Sequence, residues 1–287
     1  MVKRGIDHLV LAVHDLDAAA SFYEKLGFVV GGRNRHPWGT ENRIVQFPGI
    51  FLELITVGAG AEITPSSESV FSFGAFIKDY LAQREGFAML VLASEDAVKD
   101  REHFARSGIG HFENFSFERQ GQRPDGSQVK VAFTLAFARD ALAPQIGYFV
   151  CQHHYPENFW NPVAQSHPNK ASALTEVAFY AENPADHAEF MSHFTGLRDY
   201  LATSSSINFP IRGAVHIYSK PAYDYFYSNS LLSPDTHLSG FTVAVPSLDA
   251  MVSRCEQNSI VYEIHHDALV IPPVTAYGVC LRFVVAA

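Results

Sequence analysis

The sequence predicts an α+β protein made of four βαβββ units arranged as two domains. Three observations carry that expectation. Apolar runs of strand length recur at Ile6–Val13, Gly86–Ser94, Leu174–Ala181 and Leu238–Val245 of the 287-residue chain. Each is followed by a capped stretch with apolar residues at helical spacing, and then by further strand-like segments. Short strings also repeat: Leu9-Val10-Leu11-Ala12 returns as Leu90-Val91-Leu92-Ala93, and Leu16-Asp17-Ala18 as Leu248-Asp249-Ala250. Repetition of that kind marks duplicated supersecondary units.

The first unit opens with Ile6–Val13. Asp15 then caps a helix that carries Leu16, Ala19, Phe22, Tyr23 and Leu26 on one face, and Gly27 ends it. Strands are expected at Phe28–Gly31, Arg43–Phe47 and, after the Pro48-Gly49 turn, Ile50–Val57. A polar stretch with a short helix near Phe76–Arg84 separates this unit from the next. The second unit reads as Gly86–Ser94, a helix from Glu95 to Ser107, then Phe115–Glu118, Val129–Phe137 and Gly147–Gln152. Tyr155–Ser172, with three prolines, reads as a linker, so the expected domains are 1–165 and 166–287. The third unit begins at Leu174–Ala181, with a helix started by Asn183-Pro184 and buried through Phe190, Met191 and Phe194. The fourth begins at Leu238–Val245, with Ser247 as cap and Leu248, Met251 and Cys255 at helical spacing.

Composition excludes several classes. Hydrophobic residues make up 47% and charged ones 18%, with 23 Phe and 12 Tyr, which argues against disorder and for an aromatic-rich interior. The formal net charge of −9 is the wrong sign for a phosphate track, so no nucleic-acid partner is expected. The three cysteines are scattered and form no CxxC pair, which excludes a cysteine-zinc site or disulfide scaffold and points to a reducing cytoplasm. No signal-peptide core or run of about 20 apolar residues is present, so neither export nor a membrane span is expected. Nucleotide-loop and serine-hydrolase motifs are absent.

The strand Asp7-His8-Leu9-Val10-Leu11-Ala12-Val13, the helix with Phe22-Tyr23 and Leu26-Gly27-Phe28, and the strand Phe51-Leu52-Glu53-Leu54 resemble the vicinal oxygen chelate superfamily. That superfamily holds glyoxalase I, the extradiol dioxygenases and the fosfomycin-resistance proteins. The stretches His36-Pro37-Trp38-Gly39-Thr40-Glu41-Asn42 and Arg123-Pro124-Asp125-Gly126 resemble more narrowly its glyoxalase-like domain branch. The resemblance is strong over 5–57, weaker over 86–152, and rests on element order over 173–287. It implies two glyoxalase/dioxygenase-type domains of cupped mixed sheets around a cavity, often with a divalent metal that holds vicinal oxygens of the substrate. In that pattern the first strand supplies a His and the fourth a Glu, the places of His8 and Glu53 here.

Side-chain parity supports this pair independently. If Leu9, Leu11 and Val13 pack under the helix, Ile6, His8, Val10 and Ala12 face the other way; likewise Phe51, Glu53 and Ile55 oppose Leu52 and Leu54. Each strand then carries one polar residue on an apolar face, where a lone carboxylate is costly. Either His8 and Glu53 bond directly, or they share a metal. The second unit departs from the metal pattern, with Met89 at the place of His8 and a residue near Val150 at that of Glu53. A third ligand would come from His153 or His154. In the second half Glu176 and His216 are the matching candidates. His36, Trp38, Thr40, Asn42 and Arg123 are expected to contact substrate. His103, His187 and His193 read as solvated helix residues, and His265-His266-Asp267 as a polar strand end.

Three functions follow. The first is a glyoxalase-like enzyme (lyase or isomerase) on a small oxygenated molecule, with Fe, Mn, Ni or Zn as Lewis acid, or with Glu53 as general base. The second is a metal-free protein of the same fold that binds or sequesters a small molecule. The third is an extradiol-type dioxygenase, which needs two His and one Glu converging in one half. The expected partner is a small molecule, without nucleic acid or membrane, the chain acting alone or as a homodimer.

Overall fold

The computed structural model describes residues 3–122, 127–228 and 231–286. Its first half runs β1 (Ile6–Ala12), α1 (Leu16–Lys25), β2 (Asn34–Arg35), β3 (Thr40–Phe47), β4 (Ile50–Val57), α2 (Phe73–Leu81), β5 (Gly86–Ala93), α3 (Ala97–Arg106), β6 (Phe115–Gln122), β7 (Gln128–Ala138) and β8 (Gly147–His153). A short helix, α4 (Pro156–Phe159), follows. The second half runs β9 (Ala173–Tyr180), a 3-10 turn at Pro184–His187 leading into α5 (Ala188–Thr195), β10 (Leu201–Ala202), β11 (Ser206–Phe209), β12 (Val215–Tyr218), α6 (Lys220–Tyr227), β13 (His237–Val245), α7 (Leu248–Gln257), β14 (Glu263–His265), β15 (Ala268–Ile271) and β16 (Cys280–Val285).

The expected caps hold these helices. Asp15 accepts from the backbone N–H groups of Asp17 and Ala18, Asn183 from that of Ala185, and Ser247 from that of Ala250. One expected strand is absent: over Phe28–Gly31 only Gly31 touches the sheet, its backbone N–H donating to the carbonyl of Ile44 in β3 at 2.8 Å. The backbone N–H of Val29 is used by Nδ1 of His167 and that of Phe28 by the carbonyl of Tyr23, so no ladder forms there. The second strand of the unit is the two-residue β2 instead.

Strand pairing repeats in the two halves. β1 lies parallel to β4 and antiparallel to β5, and β5 lies parallel to β8. β9 lies parallel to β12 and antiparallel to β13, and β13 lies parallel to β16. Units one and two therefore share one cup, and three and four another. His8 and Glu53 cannot meet Glu176 and His216. The cups join along one edge, where Leu238 of β13 bridges Phe87 of β5.

Period-two alternation in the strands divides the interior. Leu9, Leu11, Leu52, Leu54, Leu90 and Leu92 turn toward the helices, into a core that continues through Phe179, Phe241 and Phe283 of the second half. Val10, Ala12, Ile55 and Val91 turn the other way, into the first cup, where α2 lays Phe73 and Ile77 against them. The second cup is plugged by α6, whose Tyr223 and Tyr227 are fully buried against Ala178 and Val270. Among the histidines, His187 is not on a solvated face: it is buried and its Nδ1 donates to Asp140 at 2.6 Å, because the 3-10 turn packs against the loop after β7.

His237, at the start of β13, donates from Nδ1 to the carbonyl of Asp235 at 2.6 Å. Burial, reinforced by nearby Arg84 and opposed by that carbonyl, lowers its pKa to about 4. The unfolded chain then binds the extra proton between about pH 6.5 and 4, so this group's contribution is complete above that window and lost on acidification through it. Urea unfolding from pH 7 to 4.5 should show His237→Gln losing less stability than the wild type, by up to about 3 kcal/mol at the acid end. Parallel losses in the two proteins would show that His237 is not the group responsible.

Candidate functional site

The first cup encloses a cavity of about 60 Å³. Its polar floor depends on an irregularity in β1. Against β5, Ile6 pairs with Leu92 and His8 with the adjacent Val91, so β1 carries one extra residue, Asp7. Such a bulge breaks the alternation of faces. Ile6 joins the helix-side core instead of the cup. Asp7, which simple parity sends away from the cup, shares a buried network with His8.

Oδ1 of Asp7 accepts from Nδ1 of His8 at 2.6 Å and from Nε2 of His153 at 3.3 Å, and Oδ2 lies 3.0 Å from the same Nε2. Burial alone would raise the Asp7 carboxyl, but the two imidazoles outweigh it and hold it well below the usual carboxylate range. An ionised carboxylate only accepts, so Nδ1 of His8 carries a proton and Nε2 of the neutral ring is the bare nitrogen. The ring is clamped by stacking on Phe51 (centroids 4.2 Å apart, 14° between planes) and by the edge of Phe149. Its Nε2 lies 3.8 Å from Oε2 of Glu53, beyond hydrogen-bond distance, so the two groups do not form a direct bonded pair.

Glu53 reaches the floor from β4 as parity requires, opposite Leu52 and Leu54. Its other oxygen accepts from the side-chain amide of Asn42. Asn42 lies 3.4 Å from Nε2 of His36, and Nδ1 of His36 bonds Oγ1 of Thr40 at 2.8 Å. Burial holds the His36 pKa below its ordinary value, with Glu53 opposing and Arg119 adding to the shift. The turn at Pro37–Gly39 makes this geometry: Gly39 has φ +88°, and a Cβ there would strike Ile63 and Ala61. It stacks Trp38 on His36, with centroids 4.5 Å apart.

The expected substrate-contacting residues divide. His36, Trp38 and Asn42 line the cavity, while Thr40 is fully buried behind it and orients His36. Arg123 lies outside the described residues. Among the expected third ligands, His153 bonds Asp7 rather than facing Glu53, and His154 is exposed with Nε2 on Oγ1 of Thr134 at 2.8 Å. In the second half, Glu176 accepts from His216 (2.8 Å), Tyr218 (3.1 Å) and Tyr227 (2.8 Å), a network closed by the plug of α6.

Sequence reasoning missed Asp7, Arg119, Phe149 and Cys151. Asp7 was hidden by the bulge. Arg119 follows from alternation along β6, since Phe115, Phe117 and Arg119 share a face. Because Val10 pairs with Glu53 and Val91 with Phe149, the residue matching Glu53 in unit two is Phe149, not Val150. Val150 points into the helix-side core.

The donor chemistry tests whether a divalent metal fits. His8 and Glu53 are two donors facing one cavity, and Met89 and Phe149 occupy the places where unit two would add others. Catalytic sites use three protein ligands as a rule. Among the described residues, Asp7, Cys151 and His153 bring three ligand atoms within 4.8 Å of one another. Oδ1 of that Asp7 is bonded by both imidazoles, and Oδ2 lies 3.0 Å from Nε2 of His153. Burial, together with Asp7 and Glu53, pushes the Cys151 thiol well up. His8 and Glu53 by themselves are one ligand short of a resident divalent ion. A larger hollow of about 970 Å³ runs between the halves past Tyr80 and His237, but it carries charges of both signs (Asp79, Arg84, Glu85, Asp235) rather than a linked acid–base set.

The profile of a family described as Glyoxalase-like domain matches residues 6–195. A search among curated proteins returned no match. Solved structures of similar fold include a hypothetical protein from Staphylococcus aureus, 13% identical with a TM-score of 0.69 over 97% of this chain and 98% of that one. A mutant 4-hydroxymandelate synthase from Streptomyces coelicolor is 12% identical, TM-score 0.55, over 99% and 92%. The Mn(II)-bound glyoxalase from Novosphingobium aromaticivorans is 11% identical, TM-score 0.53, over 98% and 82%. At these identities the likeness is one of fold.

Replacing Asp7 by Asn puts an amide between two imidazole N–H groups. It should cost on the order of 2 kcal/mol or more of stability and change the His8 tautomer, read from nitrogen chemical shifts of the imidazoles. A wild-type His8 protonated at Nε2 at neutral pH would show that Asp7 does not set the ring.

Proposed function

The chain belongs to the glyoxalase-like domain family, and from that premise we propose that it is an enzyme that moves a proton on a small oxygenated organic substrate in the first cup. One observation carries the reading: Asp7 fixes the proton of His8 on Nδ1, leaving Nε2 to face Glu53 across 3.8 Å of cavity. A carboxylate that orients an imidazole makes its far nitrogen a positioned base. Glu53 is the second base. Asn42 holds one of its oxygens, leaving the other toward the cavity to take a proton from carbon beside a carbonyl or carbinol. His8 accepts or returns the proton of the neighbouring oxygen. The rings of Trp38, Phe51, Phe133 and Phe149 keep the cavity apolar, which strengthens each polar contact inside it.

The expected Lewis-acid metal is not part of this reading, because the places for further ligands hold Met89 and Phe149. Isomerisation and elimination are the reaction classes that a proton relay of this kind serves.

Two measurements test the proposal. Protein purified without chelators should contain sub-stoichiometric metal that does not change in His8→Ala or Glu53→Gln. Stoichiometric metal lost in both variants would replace the proton relay with metal chemistry. In heavy water, NMR of a panel of 2-hydroxy ketones and 2-oxo acids should show carbon-bound hydrogen exchanging with the wild type, and roughly 10²–10⁴-fold slower with Glu53→Gln. Binding without any exchange would identify a sequestering protein of the same fold.

A further inference from the structure

Among the described residues, Arg119 is the one charged group of the cavity lining that the proton relay leaves unused. It projects from β6 into the cup on the same face as Phe115 and Phe117, while Ser116 and Glu118 turn outward. Phe117 is fixed edge-on against Trp38 (4.9 Å) and stacked on Phe133 (5.1 Å), so the strand face that carries Arg119 is held by its neighbours. Among the described residues, no hydrogen bond or ion pair engages the Arg119 guanidinium. Glu53 acts on it only through space, and the Glu53 carboxylate is already bound by Asn42.

A half-buried guanidinium at a cavity wall, with no carboxylate in contact, is open to a partner that arrives from outside. Its planar fork matches a carboxylate in two parallel hydrogen bonds. The other walls are aromatic, and the volume of about 60 Å³ admits only a small body. Resting on the reading of the cup as the active site, we propose that Arg119 is the receptor for the substrate's carboxylate and that the substrate is a small, apolar-bodied monocarboxylic acid. The acid group docked on Arg119 places the adjoining carbon between Arg119 and the Glu53–His8 pair. The guanidinium also offsets the repulsion between the incoming anion and Glu53.

The test uses matched acids and neutral isosteres, isobutyrate with isobutyramide and benzoate with benzamide, titrated up to 10 mM against intrinsic tryptophan fluorescence, since Trp38 forms part of the wall. At pH 7.5 the wild type should bind at least one acid ten times or more tightly than its amide. Arg119→Gln should abolish that preference, and Arg119→Lys should restore part of it, with circular dichroism showing that both variants fold. Equal binding of acid and amide, no acid binding, or an acid affinity in Arg119→Gln within twofold of wild type would each overturn the assignment. Glu53→Gln separates this inference from the proton relay. It should keep or increase acid binding, because a like charge is removed, while hydrogen exchange is lost. Intact acid preference without any wild-type exchange would sink the relay and leave Arg119 as the receptor.

Discussion

The carboxylate of Asp7, buried and held between the imidazoles of His8 and His153, is the constraint on which the first cup depends. Moving a carboxylate out of water costs on the order of several kcal/mol unless charge and hydrogen bonds compensate. Here two ring N–H groups compensate, and they come from strands that belong to different repeats, β1 and β8. The contact therefore does two things at once. It ties unit one to unit two at the floor of the cup, and it sets which nitrogen of His8 is free. Phe51 and Phe149 complete the clamp and hold the ring in one orientation.

The two halves show how one arrangement of strands yields two different interiors. Glu176 and His216 stand on β9 and β12 much as His8 and Glu53 stand on β1 and β4, with the residue types exchanged. In the second half, α6 inserts Tyr223 and Tyr227 into the cup, and Tyr227 and Tyr218 donate to Glu176. That carboxylate accepts hydrogen bonds from three side chains of its own half. In the first half α2 packs farther along the cup and leaves the floor open. The difference lies in which helix crosses the concave face, not in the strand order.

Much of this was legible beforehand. Strand positions followed from apolar runs, helix starts from Asp15, Asn183 and Ser247, and the facing of Glu53 from alternation with Leu52 and Leu54. His36, Trp38 and Asn42 were found because Pro37 and Gly39 mark a fixed turn that carries polar and aromatic groups. The errors have physical causes. Phe28–Gly31 has strand-like composition, but the backbone N–H groups of Phe28 and Val29 are taken by Tyr23 and by His167, a residue 138 positions beyond Val29, and only Gly31 bonds β3. His187 looked solvated because its partner, Asp140, sits in a loop of the other half. Asp7 was passed over because alternation is a rule for regular strands, and the bulge suspends it for one residue.

By itself the sequence determined the α+β class, the fourfold βαβββ order, the apolar faces of the strands, and the placement of one His and one Glu on a buried surface. These depend on local periodicity and capping, which are properties of short segments. The tertiary structure alone decided how the units pair, that Met89 and Phe149 face the cup where further ligands would stand, that His153 serves Asp7, and that Arg119 meets the cavity with no carboxylate in contact. Those outcomes depend on strand register and on which surfaces bury one another, and register across β1, β5 and β8 is set by contacts between residues 58 to 146 positions apart in the chain.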